Sequence, residues 1–88
     1  MEYVWDPDKA AANFQKHSVS FADAVSIFSD AFALTLADEF ADEERFIALG
    51  TDAFGRLLII SYTWRGEHTI RIISARKATR AERTQYEG

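Results

Sequence analysis

Four cations crowd one short stretch of this chain: Arg71, Arg76, Lys77 and Arg80. An unpaired arginine on a strand is costly to bury, so each must either meet a carboxylate or face water, where a phosphate could accept a forked pair of hydrogen bonds. Residues 55–88 hold seven basic residues and three carboxylates, a balance that adds weight to an anion site beside the structural ion-pair reading. Lys16-His17 is a second chemical pair, because histidine exchanges protons near neutral pH; a lone histidine at a helix end also serves simply to cap or pack. Asn13, one turn earlier, is read as bonding backbone nearby. Arg45 follows Glu39, Asp42, Glu43 and Glu44, and a surface salt bridge is its default. Glu82 stands three residues after Thr79, the spacing of a capping box, and among several arginines it could also act as a general base. Tyr62 and Trp64 share one strand face and suit the core or a protein partner, while His68 falls at a turn.

The elements that position these residues follow from spacing. Tyr3 to Trp5 reads as a short strand, closed by Asp6-Pro7, a helix cap followed by a first-turn proline. A first helix then runs to about Gln15, with Ala10, Ala11 and Phe14 facing inward and Lys9, Asn13 and Lys16 on a polar stripe. Ser20 caps a second helix in which Phe21, Ala24, Val25 and Phe28 recur at helical spacing. Strands are predicted over 33–37, 44–51, 56–64 and 68–74, separated by an acidic turn at 38–43, a hairpin at 52–55 and a turn at 65–67. Residues 56–64 are apolar on both faces and should be central. On the last strand Ile70 and Ile72 point one way, Arg71 and Ile73 the other. Thr79 opens a short last helix. The expected fold is α+β, an antiparallel β-meander carrying two N-terminal helices and a short C-terminal helix in the order β-α-α-β-β-β-β-α, as one domain over residues 1–88.

Composition narrows the function. Eighty-eight residues with 48% apolar and 27% charged side chains make a folded domain with a modest core and a shallow site rather than a deep pocket. No cysteine is present, which removes disulfides, thiolate zinc sites and a cysteine nucleophile. Gly-rich phosphate loops, GxSxG, HExxH and calcium loops are likewise missing. No cofactor or metal is suggested, and with no signal-like or membrane-length apolar segment the expected location is cytoplasmic. The net charge of −4 divides unevenly: residues 1–54 sum to −8 and residues 55–88 to +4. Such a total disfavours strong non-specific nucleic-acid binding, leaves room for a local anion site, and suits a basic partner for the first half.

Trp5-Asp6-Pro7, Lys9-Ala10, Asn13, Lys16-His17, Val19-Ser20-Phe21, Ala24 and Phe28-Ser29-Asp30 resemble the opening of the BrnT toxin family. Glu44-Arg45-Phe46, Leu49-Gly50, Gly55-Arg56-Leu57-Leu58, the run from Arg71 to Thr79, Glu82-Arg83 and Tyr86 resemble its second half, so the likeness spans nearly the whole chain. It departs at Ser18, where the family usually has glycine; a positive φ there would suit serine less well. The resemblance implies a RelE-like toxin of a type II toxin-antitoxin pair that cuts RNA and arrests translation. Its implied partner is a BrnA-like DNA-binding antitoxin, whose complex with the toxin represses their shared operon, so operator DNA is touched only through the antitoxin.

RNA cleavage without a metal needs the 2′-hydroxyl deprotonated, the pentavalent phosphate neutralised and the 5′-oxygen protonated. On that basis Arg71 and Arg76, assisted by Arg45, are expected to hold the phosphate, and Lys16, His17 and Glu82 are the candidates for proton transfer. Residues 38–44 or the neighbouring helix faces are expected to meet the antitoxin. Two other readings stay open: a degenerate toxin that keeps only antitoxin binding, and a non-enzymatic interaction module that uses Trp5, Tyr62 and Trp64.

Overall fold

The computed structural model describes residues 1–39 and 41–88. Strand β1 (Glu2–Val4) leads into helix α1 (Pro7–His17), helix α2 (Phe21–Ala24) and a 3-10 helix (Val25–Ser29). Strands β2 (Leu34–Ala37), β3 (Phe46–Thr51), β4 (Leu57–Trp64) and β5 (Thr69–Lys77) follow, then helix α3 (Arg80–Glu87). One five-stranded sheet has the order β1-β5-β4-β3-β2. β2 to β5 form the expected antiparallel meander, but β1 runs parallel to β5, so the sheet is mixed. Direction is not written in a three-residue strand, because side-chain alternation is the same for either pairing. Phe40, within the acidic turn read at 38–43, lies outside the described residues.

The two sheet faces differ. Against one pack α1, α2 and the 3-10 helix, enclosing Val19, Phe21, Ile27, Leu58, Ile60 and Ile72. Each such side chain contributes about 1.5–3 kcal/mol by leaving water, which makes this layer the main source of stability. On the other face α3 covers only one end, where Tyr86 and Ala78 pack on Leu49, Leu57 and Ile59. Gly50 marks the close crossing of the 3-10 helix over β3, since a Cβ there would stand 3.2 Å from both Ile27 Cβ and Ala33 Cβ.

Helix α1 corrects the expected stripe. Asn13 is buried and Phe14 is 53% exposed, the reverse of the apolar-inward pattern. The reason is the edge of β5, which β1 pairs only from Thr69 to Arg71. Beyond it, the Asn13 Nδ2 donates to Ala75 O at 2.8 Å and its Oδ1 accepts from Ala75 N at 3.1 Å, so one amide side chain stands in for a missing strand. The same Nδ2 donates to Val19 O at 3.1 Å. The satisfied edge outweighs the burial of one more phenyl ring.

The second helix is shorter than its apolar periodicity suggests. Ser26 Oγ donates to Asp23 O at 2.7 Å and accepts from Ala53 N at 2.8 Å, local bonds that favour the tighter 3-10 path from Val25. The β3–β4 hairpin is held by Asp52, which accepts from Arg56 Nε and Arg56 N at 2.8 Å each and from Phe54 N at 3.0 Å. Burial pushes the Asp52 carboxyl up, but these bonds and the Arg56 charge outweigh it and hold the group below its ordinary value. Among the described residues no helix is long and apolar enough to cross a membrane.

Candidate active site

The last strand carries a β-bulge that decides the site. Ser61 faces Ser74 while Tyr62 faces Ile72, which leaves Ile73 as the extra residue. Strict alternation would send Arg71 and Arg76, five residues apart, to opposite faces. The bulge resets the alternation, so Arg71 opposes Thr63 and Arg76 opposes Ile59 on one and the same face, the one α3 only partly covers.

Three rows can be read across that face. Leu49, Ile59 and Arg76 form the row beside α3; Ile47, Ser61 and Ser74 form the next. Phe46 opposes Tyr62, so Arg45, one residue earlier, falls level with Thr63 and Arg71 in the last row. Thr63 Oγ1 fixes that corner by donating to Glu44 O at 3.0 Å. Two strand spacings separate the Arg45 and Arg71 backbones by about 10 Å, so two extended guanidinium groups can converge on one phosphate above Thr63.

Neither arginine of this row is internally satisfied. The side chain of half-buried Arg71 has no hydrogen bond or ion pair among the described residues. Arg45 reaches Glu43 at 3.4 Å, the expected surface pair, yet among the described residues its buried Nε has no partner. A buried donor left unpaired costs about 1–3 kcal/mol, and an anion laid across the row would remove that cost.

At the other end of the face the same side-chain type is fully engaged. Arg76 donates to the two carboxylate oxygens of Glu82 at 2.8 and 2.9 Å. Glu82 also accepts from Thr79 N at 2.8 Å, and Thr79 Oγ1 accepts from Glu82 N, so the capping box is formed as its spacing implied. The hydrogen bonds and charge of Arg76, with Thr79 assisting, hold the Glu82 carboxyl at about 2 against the opposing effect of burial. Glu82 in turn raises the Arg76 guanidinium further. The far end of α3 is tied by Tyr86, whose hydroxyl donates to Asp30 Oδ2 at 2.5 Å and accepts from Thr51 Oγ1 at 3.2 Å. The Tyr86 bond, with backbone donors Thr51 and Phe32, lowers the Asp30 carboxyl; Asp30 raises the Tyr86 phenol.

Lys16 and His17 stand elsewhere. They end α1, in the helix layer at the edge of β5, with no contact to Arg45, Arg71, Arg76 or Glu82 among the described residues. His17 is half-buried one turn beyond Asn13. The structure therefore brings Arg45, Arg71, Arg76 and Glu82 to one face and leaves the Lys16-His17 pair around the β5 edge from it.

A family model described as the ribonuclease toxin BrnT of type II toxin-antitoxin systems matches residues 5–82. The chain belongs to the BrnT family of ribonuclease toxins. Its fold is similar to that of the Brucella abortus ribonuclease toxin BrnT, with a TM-score of 0.69 at 23% identity over 91% of this chain and 99% of that one. A comparison with curated proteins finds no match.

Within this BrnT chain, Ser18, where the sequence resemblance led to an expectation of glycine, has a left-handed φ of 58°. Its N–H donates to Phe14 O at 2.8 Å and closes α1, a job glycine does without the Cβ penalty. Sequence reasoning missed Thr63, Ser61 and Ser74. The signal was present, since placing Tyr62 inward puts Ser61 and Thr63 on the opposite face.

Proposed function

We propose that this BrnT chain is a metal-independent endoribonuclease acting in the cytoplasm, where it inhibits translation until a BrnA-like DNA-binding antitoxin neutralises it. The observation that carries the reading is the row Arg45–Thr63–Arg71 on the part of the sheet face that α3 leaves open, where among the described residues the Arg71 side chain has no partner and the buried Arg45 Nε has none. Such a face fits a single-stranded RNA backbone: phosphates meet the arginines, and Ser61 and Ser74 offer hydroxyls beside them.

In the proposed reaction the 2′-hydroxyl loses its proton and its oxygen attacks the adjacent phosphorus. The P–O5′ bond breaks, and the departing 5′-oxygen takes a proton, leaving a 2′,3′-cyclic phosphate and a 5′-hydroxyl. Arg45 and Arg71 hold the charge that builds on the phosphate oxygens. Arg76 can join them only by releasing Glu82. That exchange would return the Glu82 carboxyl toward its ordinary value and make it a stronger base beside the reacting phosphate. Lys16 and His17 complete the proton-transfer set for RNA that wraps the β5 edge. The acidic total charge of −4 fits weak RNA affinity with marked salt sensitivity.

Expression of the chain alone in a bacterial host, beside an Arg45→Ala/Arg71→Ala variant, tests the proposal through growth and total RNA integrity. Growth arrest with RNA breakdown for the wild type only is the expected result. Normal growth and intact RNA with folded wild-type protein present would refute it.

A further inference from the structure

Strand β2 is an edge left unguarded. Its four residues, Leu34, Thr35, Leu36 and Ala37, are all exposed and carry no charge. Natural sheet edges are normally blunted by lysine, proline, a bulge or a covering element, because their free N–H and C=O groups invite another strand. Asp38 N donates to Arg45 O at 2.8 Å, which makes 36/47 and 34/49 the directly bonded pairs and turns the N–H and C=O of Thr35 and Ala37 outward. Beside this edge, on the arginine face, Leu34 and Leu36 are 42% and 66% exposed. They border a groove over Ile47, Leu49 and Ile59 that α3 closes with Glu82 and Gln85.

Charge selects the occupant. Glu39, Asp42, Glu43 and Glu44 follow β2 directly, and residues 1–54 sum to −8. Around this edge these four carboxylates outnumber the single cation Arg45, so a polyanion is disfavoured along β2, and a second copy of the chain would bring another acidic half against this one. A basic polypeptide is attracted to it.

We propose that the outer edge of β2 and its leucine groove dock the antitoxin, through a basic segment that adds a sixth strand to the sheet. Alternation in that strand puts apolar side chains against Leu34 and Leu36, while its lysines or arginines meet the acidic residues beyond Ala37. The docked segment also lies against α3, close to the Arg76–Glu82 end of the RNA face. This inference rests on the toxin reading for the identity of the partner.

The test titrates the chain with a purified BrnA-like antitoxin. Thr35→Pro removes an outward N–H without touching the β3 ladder, and Leu36→Lys places charge in the groove at an exposed position; each is expected to weaken binding about 100-fold. Glu39→Lys/Glu44→Lys should weaken it about tenfold at low ionic strength and less at high. Phe14→Lys, in the other apolar groove between α1 and α2, should stay within about twofold. Thermal unfolding checks that each variant is folded, and the exposed Leu36 and acidic-residue variants decide the matter if Thr35→Pro is not. The inference is overturned if the folded Leu36→Lys chain binds like wild type, if only Phe14→Lys loses binding, or if the wild type does not bind at all. Growth arrest read separately distinguishes the two ideas: a wild-type chain that binds through β2 but never arrests growth fails as a ribonuclease, not as a docking surface.

Discussion

Arg71 and Arg76 sit on one strand and one sheet face, yet they live under opposite conditions. Arg76 lies where α3 returns over the sheet, and the capping box that starts the helix delivers Glu82 as a two-oxygen partner. Arg71 and Arg45 lie at the uncovered end, where Arg45 reaches the exposed Glu43 at 3.4 Å. A structural arginine is thus recognisable by the element that brings its partner. An arginine kept half-buried with no side-chain partner among the described residues, or with a buried Nε unmet, is the one we propose for the RNA phosphate. The helix-covered face gives the same contrast more broadly, since it holds the apolar core and keeps its one buried amide, Asn13, fully bonded.

The largest expected effect separates the two ends by activity. Arg71→Ala should lower RNA cleavage by about 10²–10³-fold with little change in thermal stability, and Arg71→Lys should recover only part of it, because an ammonium cannot form the fork. Arg45→Ala should act in the same direction. Either variant cleaving at the wild-type rate would break the contrast.

Glu82→Gln should do the reverse, costing stability rather than RNA affinity. It removes one charge of a pair whose arginine is 38% exposed, so after allowance for solvent screening the loss is about 1–2 kcal/mol. RNA binding should stay level or tighten, because Arg76 is released. The pH dependence follows from the same pair. Glu82 is held at about 2 in the folded chain, below its ordinary value of 4.5, so its stabilisation is present above pH 4.5 and is lost as pH falls toward 2. Urea unfolding across that range should show a steeper acid loss for wild type than for Glu82→Gln; equal slopes would remove the pair from the account.

The smallest effect lies in the helix layer, away from both ends. Ser18→Gly relieves a left-handed serine and should add about 0.5–1 kcal/mol without altering RNA cleavage. A loss of stability there would mean that Ser18 gains something its backbone angles do not show.

Much of this was legible beforehand because it is local. Asp6-Pro7 opened α1, Ser20 capped α2, the Thr79/Glu82 spacing made the capping box, and apolar residues on both faces made β4 central. What escaped depends on distant chain. Asn13 looked like a polar-stripe residue because nothing near it announces an unpaired edge at Ala75, 62 residues away. The bulge at Ile73 has no signature in Arg71-Ile72-Ile73-Ser74, yet it alone puts Arg71 and Arg76 on one face. The open arginine row could be named residue by residue but not assembled, since Arg45 meets Thr63 and Arg71 only through the register of three strands.

RNA binding without turnover decides whether the Arg45–Arg71 row, rather than the Arg76 end, carries the phosphate. A single-stranded oligonucleotide with 2′-O-methyl groups cannot be cut, and its fluorescence anisotropy gives affinity across a salt series. Arg45→Ala/Arg71→Ala is expected to bind at least about tenfold more weakly, with the salt slope reduced by about 0.7 for each phosphate released, while Arg76→Ala loses no more than about threefold. An unchanged double variant, or a larger loss in Arg76→Ala, would contradict the account.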